Sequence, residues 1–292
     1  MKFGVREICN VVFKAKATTK IGNTTFAAGQ PVLYIDSAKT STLEGAATTV
    51  YATGGRGNTR LLAWEGEKTL TFTVEDALLS PIGMAILSGA GLLEGTEGEE
   101  VHVHATANAE VVDGSIDLSA ALVGEETVCA KAPIYVIPLV DGEFAGAPVA
   151  GTAGDDNKIT ATGLPEGTKT VFVDFYIKKA STAVSELQID AENFAGFFYV
   201  EANTLFRRAA DGVDVPAEIT LPKVKIQSNF TFNMAATGDP STFTFTMDAM
   251  PDYTIFNQKR KVLCAVQIVD DAIAGSNVVS TVFPHADTES YV

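Results

Sequence analysis

Residues 229–248 read NFTFNMAATGDPSTFTFTMD, two alternating runs on either side of a Gly-Asp-Pro turn. Phe230, Phe232 and Met234 fall on one face of the first run, and Phe243, Phe245 and Met247 on one face of the second. Asn229, Thr231 and Asn233, then Thr242, Thr244, Thr246 and Asp248, take the opposite faces. A period of two carried by aromatic and β-branched residues marks strands whose two faces meet different surroundings. Gly238, Asp239 and Pro240 supply the turn chemistry between them. The stretch predicts an amphipathic β-hairpin with one apolar face and one polar, nearly uncharged face. Such a hairpin suits a wall that is packed on one side and wet on the other.

The same pattern recurs in residues 68–74, KTLTFTV, where Leu70, Phe72 and Val74 oppose Thr69, Thr71 and Thr73. TLTFTVEDAL (69–78) and TFTFTMDAM (242–250) each close on an acid, an alanine and an apolar residue. Either two related strands share one sheet system, or threonine-rich strands coincide by chance. Further strand-like runs lie at 11–18, 32–36, 197–201, 205–207, 219–227, 261–269 and 277–283. Ser80 followed by Pro81 reads as a helix N-cap with proline at the first helical position. Ile82, Ala85, Ile86 and Leu87 would pack that helix on a sheet, and Gly89 and Gly91 would end it. Gly54, Gly55, Arg56, Gly57 and Asn58 form a glycine-rich stretch without the Lys-Ser/Thr ending of a phosphate loop. It is read as a flexible loop.

The texture changes after the acidic turn at 94–100. Residues 113–181 read as short strands separated by turn signals, among them DGEFAG and GLPEG. That spacing predicts a small immunoglobulin-like β-sandwich, without the Cys–Trp–Cys core of antibody domains. The expected fold is therefore mainly β: a discontinuous β-domain over 1–112 and 186–292, interrupted by an inserted sandwich over 113–185.

Composition narrows the function. The chain of 292 residues carries 21 Lys and Arg against 36 Asp and Glu, a net charge of −15. Gripping DNA requires cations that displace condensed counterions, so tight phosphate binding is not expected. The charge serves solubility, or a surface to which DNA must not stick. Cys9, Cys129 and Cys264 are scattered, with no CxxC, and read as buried free thiols. No signal-peptide core is read at the N-terminus, and the longest apolar run, 77–93, is too short and interrupted to span a bilayer. A soluble protein made in a cytoplasm is expected.

Chemistry-bearing motifs are sparse. His102 and His104 share a strand face, as half of a metal site or as a solvated face, and His285 is distant in sequence. Asp155, Asp156 and Asn157 lack the ligand series of a calcium loop. Arg207 and Arg208 beside Asp211 and Asp214 read as a surface ion-pair cluster. No nucleophile elbow, zinc-protease motif or other catalytic constellation occurs. Neither enzymatic activity nor a metal or other cofactor is expected.

Three segments carry a resemblance: KFGVREICNVVF (2–13), GGRGNTRLLAWEGEKTLTFTVEDALLSP (54–81) and LPKVKIQSNFTFNMAATGDPSTFTFTMDAMP (221–251). They resemble structural proteins of tailed bacteriophages, most of all tail tube proteins. The resemblance covers 2–93 and 187–269, and not the insert. It implies a β-sandwich with a flanking helix, assembled in stacked hexameric rings whose inner strands join in one barrel around the DNA channel. Some such proteins carry immunoglobulin-like additions on the outside. On this reading Thr69, Thr71, Thr73, Glu75, Thr242, Thr244, Thr246 and Asp248 line the lumen, and long loops such as 40–58, with Gly54, Gly55, Arg56, Gly57 and Asn58, reach the next ring. The helix near 81–87 packs outside the barrel. The implied partners are other copies of the chain, tail proteins such as sheath, terminator or baseplate, and DNA in transit, with no membrane. The implied location is the virion tail, after synthesis in the host bacterial cytoplasm. A capsid or decoration protein, or a carbohydrate- or host-binding module, remains as an alternative.

Overall fold

The computed structural model describes residues 2–94, 100–124, 126–180, 184–231, 234, 236–238 and 241–270. The chain begins with β1 (Phe3–Val5), β2 (Asn10–Ala15), β3 (Thr19–Ile21), β4 (Thr24–Phe26), β5 (Pro31–Ile35), β6 (Ala38–Gly54) and β7 (Thr59–Asp76). Helix α1 (Pro81–Ser88) and β8 (Gly91–Glu94) follow. Then come β9 (Glu100–Val112), β10 (Ser115–Asp117), β11 (Thr127–Val128), β12 (Ile134–Val140), β13 (Glu143–Phe144), β14 (Val149–Ala153), β15 (Lys158–Ala161) and β16 (Thr170–Ala180). The last strands are β17 (Ser185–Gln188), β18 (Phe197–Arg208), β19 (Asp214–Ile226), β20 (Phe243–Ala249) and β21 (Ala265–Ile268). The protein is mainly β with one α-helix among the described residues, as its sequence patterning requires. It divides into two compact units, Met1–Leu92 with Leu187–Val292, and Leu93–Glu186.

The first unit is built on one antiparallel sheet in the order β5-β2-β18-β19-β20-β7-β6, with β1 beside β18 and β21 beside β19. Alternation sorts its side chains: Phe72 and Val74 of β7 and Phe245 and Met247 of β20 are buried with Phe13, Phe198, Val200 and Leu221. The ring of Phe13 meets Phe198 edge-on at 6.1 Å and Phe245 at 5.8 Å. Helix α1 adds Ile86 and Leu87 to this core. The Ser80 hydroxyl accepts from the Gly83 amide at 2.9 Å, and Pro81 opens the helix. Gly89 closes it at φ 73°, where a Cβ would lie 2.4 Å from the Phe194 carbonyl carbon. Gly91 opens β8 rather than contributing to the helix end.

Two expectations change in this unit. Residues 227–231 are not strand, and Phe232, Asn233, Asp239 and Pro240 lie outside the described residues. β20 forms, with β7 along one edge and the end of β19 on the other, and the described residues 229–231 make no strand beside it. β7 takes the edge of β20 opposite β19, so its ladder does not compete with a connection from β19 to β20; on the β19 side the pairing runs on to the Gln227 amide, which donates to the Thr246 carbonyl at 2.9 Å. Phe230 still packs against the core. Second, residues 40–54 are not loop but most of β6, which pairs with β7 as far as Gly54 and Thr59. Both faces of its outer half are exposed, so its hydrophobic alternation is weak. The strand-like run at 277–283 falls outside the described residues.

The second unit closes on itself. β16, β9, β10, β15, β14 and β12 pair in sequence, and β12 pairs back to β16. This is a six-stranded closed barrel, where the sequence reading expected the two separate sheets of an immunoglobulin-like sandwich. Its interior is filled by Ile116, Ile134, Val136, Ile159, Val171, Val173 and Phe175. β9, which the sequence reading gave to the first domain, runs against β16 from Glu110↔Thr170 to Glu100↔Ala180. The expected boundary at 112/113 therefore falls inside this barrel.

Replacing Phe245 by alanine should destabilise the first unit by about 3–5 kcal/mol, because the ring's contacts with Phe13 and the helix leave a cavity; a lowered urea midpoint checks this. Excising Leu93–Glu186 with a short linker should leave a soluble, folded first unit. Excising 113–185 instead should give an aggregating product, because β9 loses the strand it pairs with; size-exclusion chromatography separates the outcomes.

Candidate polar sheet face

The face of β6, β7 and β20 opposite the core carries the features that sequence patterning singled out. Strand register sets them side by side: Thr244 faces Glu75, Thr246 faces Thr73 and Asp248 faces Thr71. On the other flank of β7, Thr40 faces Glu75, Thr42 faces Thr73, Glu44 faces Thr71 and Ala46 faces Thr69. Because strand side chains alternate strictly, these residues share one surface. Thr69, Thr71, Thr73, Glu75, Thr244, Thr246 and Asp248 are thus brought together, and Thr242 reaches the same surface through its hydroxyl.

Two acids on this face, Glu75 and Asp248, are held by hydroxyl and amide donors. Glu75 accepts from Thr242 Oγ1 at 2.5 Å and from Thr40 Oγ1 at 3.1 Å. Asp248 accepts from Thr71 Oγ1 at 3.2 Å and from Gln227 Nε2 at 2.9 Å. The hydroxyls of Thr242 and Thr40, with a smaller attraction from Lys39, hold the Glu75 carboxyl below the ordinary glutamate range. Lys225, whose position pairs with Asp248, donates its ammonium to the Ala195 carbonyl. A shallow polar groove of about 540 Å³ runs beside the face, lined by Ser228, Asn229, Phe230, Thr231, Thr242, Thr244 and Thr246. The surface offers mainly hydroxyls and carboxylates, groups that supply no cluster of cations for phosphate.

Beyond Lys68 the β6–β7 ladder continues as a two-stranded arm, with no third strand beside it among the described residues. Val50 faces Trp64 and Ala52 faces Leu62, so one side of the arm is apolar. On the other side the Arg60 guanidinium lies 4.0 Å from the centre of the Tyr51 ring. Gly54, Gly55, Arg56, Gly57 and Asn58 form the tip, a turn in which the Asn58 amide donates to the Gly55 carbonyl at 3.2 Å. Gly55 and Gly57 take φ of 77° and 87°, which only glycine adopts without strain. The stretch read as a flexible loop is a hairpin turn with a defined bond.

The remaining motifs sit elsewhere. His102 and His104 lie on the exposed face of β9, and His104 Nε2 is 2.7 Å from Asp174 Oδ1 with its ring edge-on to Tyr176. Among the described residues no three His, Cys, Asp or Glu are grouped to hold a metal. Arg207 is bidentate with Asp214, both contacts at 2.7 Å. Arg208 bridges Asp211 and the buried Asp270. Sequence reading missed Thr40, Thr42, Glu44 and Gln227 as members of the polar face. The signal for the first three was present as alternation in 40–44, but it becomes legible only when β6 is set against β7.

A protein-family model described as the YomU/Tube protein family matches residues 4–259. A search of curated proteins found no match.

Glu75 should titrate below the usual glutamate range in a carbon-detected NMR pH titration, and Thr242→Val should move it back up. Its folded-state pKa is depressed, so its contribution to stability is complete above the unfolded value of about 4.3 and is lost as pH falls through the lowered folded value. An unchanged titration in Thr242→Val would break the assignment.

Proposed function

The chain belongs to the YomU/Tube protein family, a phage-derived tube family, and from that premise we propose that it is the self-assembling subunit of a phage tail tube. Copies join side by side into rings, hexameric by the family resemblance, and the rings stack around a channel for DNA. The polar face of β6, β7 and β20 lines that channel, with Thr69, Thr71, Thr73, Glu75, Thr242, Thr244, Thr246 and Asp248 turned to the lumen.

The observation that carries this reading is the continuous threonine and carboxylate surface on three adjacent strands, opposite a core covered by the helix. DNA slides past a surface dominated by threonines and carboxylates, where Lys225 is engaged with the Ala195 carbonyl, and the net charge of −15 repels phosphate. The edges of the sheet support assembly. β6 spans 17 residues and, among the described residues, pairs with β7 alone. A long open edge invites pairing with another chain, and closure into a barrel across subunits removes it. Head-to-tail contacts that close make rings. The partners are then other copies of this chain and neighbouring tail proteins such as sheath, terminator or baseplate. The protein resides in the virion tail after synthesis in the host cytoplasm, and its role is structural rather than catalytic. Among the described residues no helix is long and apolar enough to cross a membrane.

Negative-stain microscopy of the purified protein over a range of concentrations should show hollow rods with a regular axial repeat; closed shells would overturn the tube reading. Thr244→Lys with Thr246→Lys should leave the rods intact and lower DNA delivery by the assembled virion. Infectivity equal to the parent would remove these strands from the lumen.

A further inference from the structure

The outward positions of β9, β12 and β16 in the second unit carry aromatic rings interleaved with polar groups. Val171, Val173 and Phe175 fill the barrel, so strand alternation turns Phe172, Asp174 and Tyr176 outward. Cross-strand register sets Tyr135 beside Asp174 and Ile137 beside Phe172 on one flank of β16. On the other flank Asn108 faces Phe172, Thr106 faces Asp174 and His104 faces Tyr176. Phe144 of β13, opposite Leu139, brings a further ring, 5.2 Å from that of Phe172. Three aromatic residues thus surround Asp174: Phe172 and Tyr176 on either side along β16, and Tyr135 directly across from it.

These rings are open to water. Tyr135 is 47% exposed and Phe144 62% exposed, and Thr106 and Asn108 are exposed beside them. They add nothing to the barrel core, which the alternate residues fill. The polar groups are held in place by one another. The Asp174 side chain is 41% exposed, and His104 Nε2 lies 2.7 Å from its Oδ1. The His104 ring in turn stands edge-on to Tyr176, with centroids 5.5 Å apart.

The charge and polarity of the face select its occupant. A nucleic acid would stack on the rings but needs cations for its phosphates. Among the described residues, Lys178 is the one lysine or arginine at the outward positions of these three strands, against Glu110 and Asp174. An added β-strand needs an open edge, and β16 is already flanked by β12 and β9. An apolar protein surface would bury Asp174, Thr106 and Asn108 without partners. A neutral sugar matches both parts of the face. The C–H bonds of a pyranose lie on the electron-rich face of an aromatic ring, and its hydroxyls bond to carboxylate, amide, hydroxyl and imidazole groups. We propose that this face of the second unit binds a neutral oligosaccharide, with Tyr135 and Phe144 as stacking platforms and Asp174, His104 and Asn108 as partners of its hydroxyls. The site lies within the second unit, goes beyond the tube reading and does not depend on it.

The test offers cellotetraose, maltotetraose and chitotetraose to the full-length chain and follows them by saturation-transfer difference NMR. At least one should receive saturation on its ring protons and give a saturable titration. Tyr135→Ala, at a half-exposed position, should leave the melting temperature unchanged and weaken that binding about tenfold; Tyr135→Phe should retain it. Phe144→Ala, on the short β13, repeats the test with a second ring and keeps it decisive if Tyr135→Ala unfolds the barrel. No transfer to any of the three sugars would overturn the proposal, as would equal affinity in the parent and in folded ring variants. Tighter binding of dextran sulfate than of the neutral probes would overturn it too, because ionic contacts would then govern the face. None of these outcomes bears on the tube reading, which stands or falls on the rods seen by microscopy.

Discussion

The antiparallel register of β7 against β20 is the constraint on which the first unit depends. It places Phe245 beside Val74 and Met247 beside Phe72 on the buried side. The same register, one residue on, sets Thr244 beside Glu75 and Thr246 beside Thr73 on the open side. A slip by one residue would exchange the faces, exposing the phenylalanines and burying the threonines and acids. The core therefore enforces the polar surface: burial of Phe72, Val74, Phe245 and Met247 against Phe13 and the helix leaves the alternate side chains no other place.

That surface carries negative charge without cost in unsatisfied groups. Each of its two central carboxylates is met by two donors, Glu75 by Thr40 of β6 and Thr242 just before β20, Asp248 by Thr71 of β7 and Gln227 just past β19. For Glu75, hydrogen bonds to the charged form favour ionisation. Threonine suits the position twice over, since its branched Cβ favours the extended backbone and its hydroxyl donates across the ladder. A lysine in the same place would satisfy a neighbouring acid more strongly, and would also hold phosphate.

Much of this was legible before any coordinates. The alternation in 69–75 and 242–248 identified both strands and the correct faces, and the Ser80-Pro81 cap with Gly89 bounded the helix. Reading failed where local and long-range signals compete. The Gly-Asp-Pro turn suggested that 229–234 pairs with 242–248, yet on that edge the described pairing of β20 is with the end of β19 (Ile226 with Met247), and its other edge goes to β7, more than 160 positions away in sequence (Phe243 with Asp76). β6 passed for a loop because a two-stranded arm exposed on both faces has no buried side to stamp a pattern on its residues. The second unit passed for a sandwich because alternation reports which side chains are inward, and a closed barrel and a two-sheet sandwich bury the same set.

Sequence by itself determined the class of the protein and the chemistry of its main surface: strands rich in threonine, a net negative charge and one capped helix. These follow from side-chain period and composition, which are local properties. Tertiary structure alone decided which strands are neighbours, that β9 belongs to the barrel of the second unit, and that Thr40 and Gln227 hold the acids of β7 and β20. It alone set Tyr135, Phe172 and Tyr176 around Asp174 on the outward face of the second unit's barrel. Strand pairing joins residues far apart along the chain, and its outcome depends on which apolar rows fit together in three dimensions, so no window of sequence contains it.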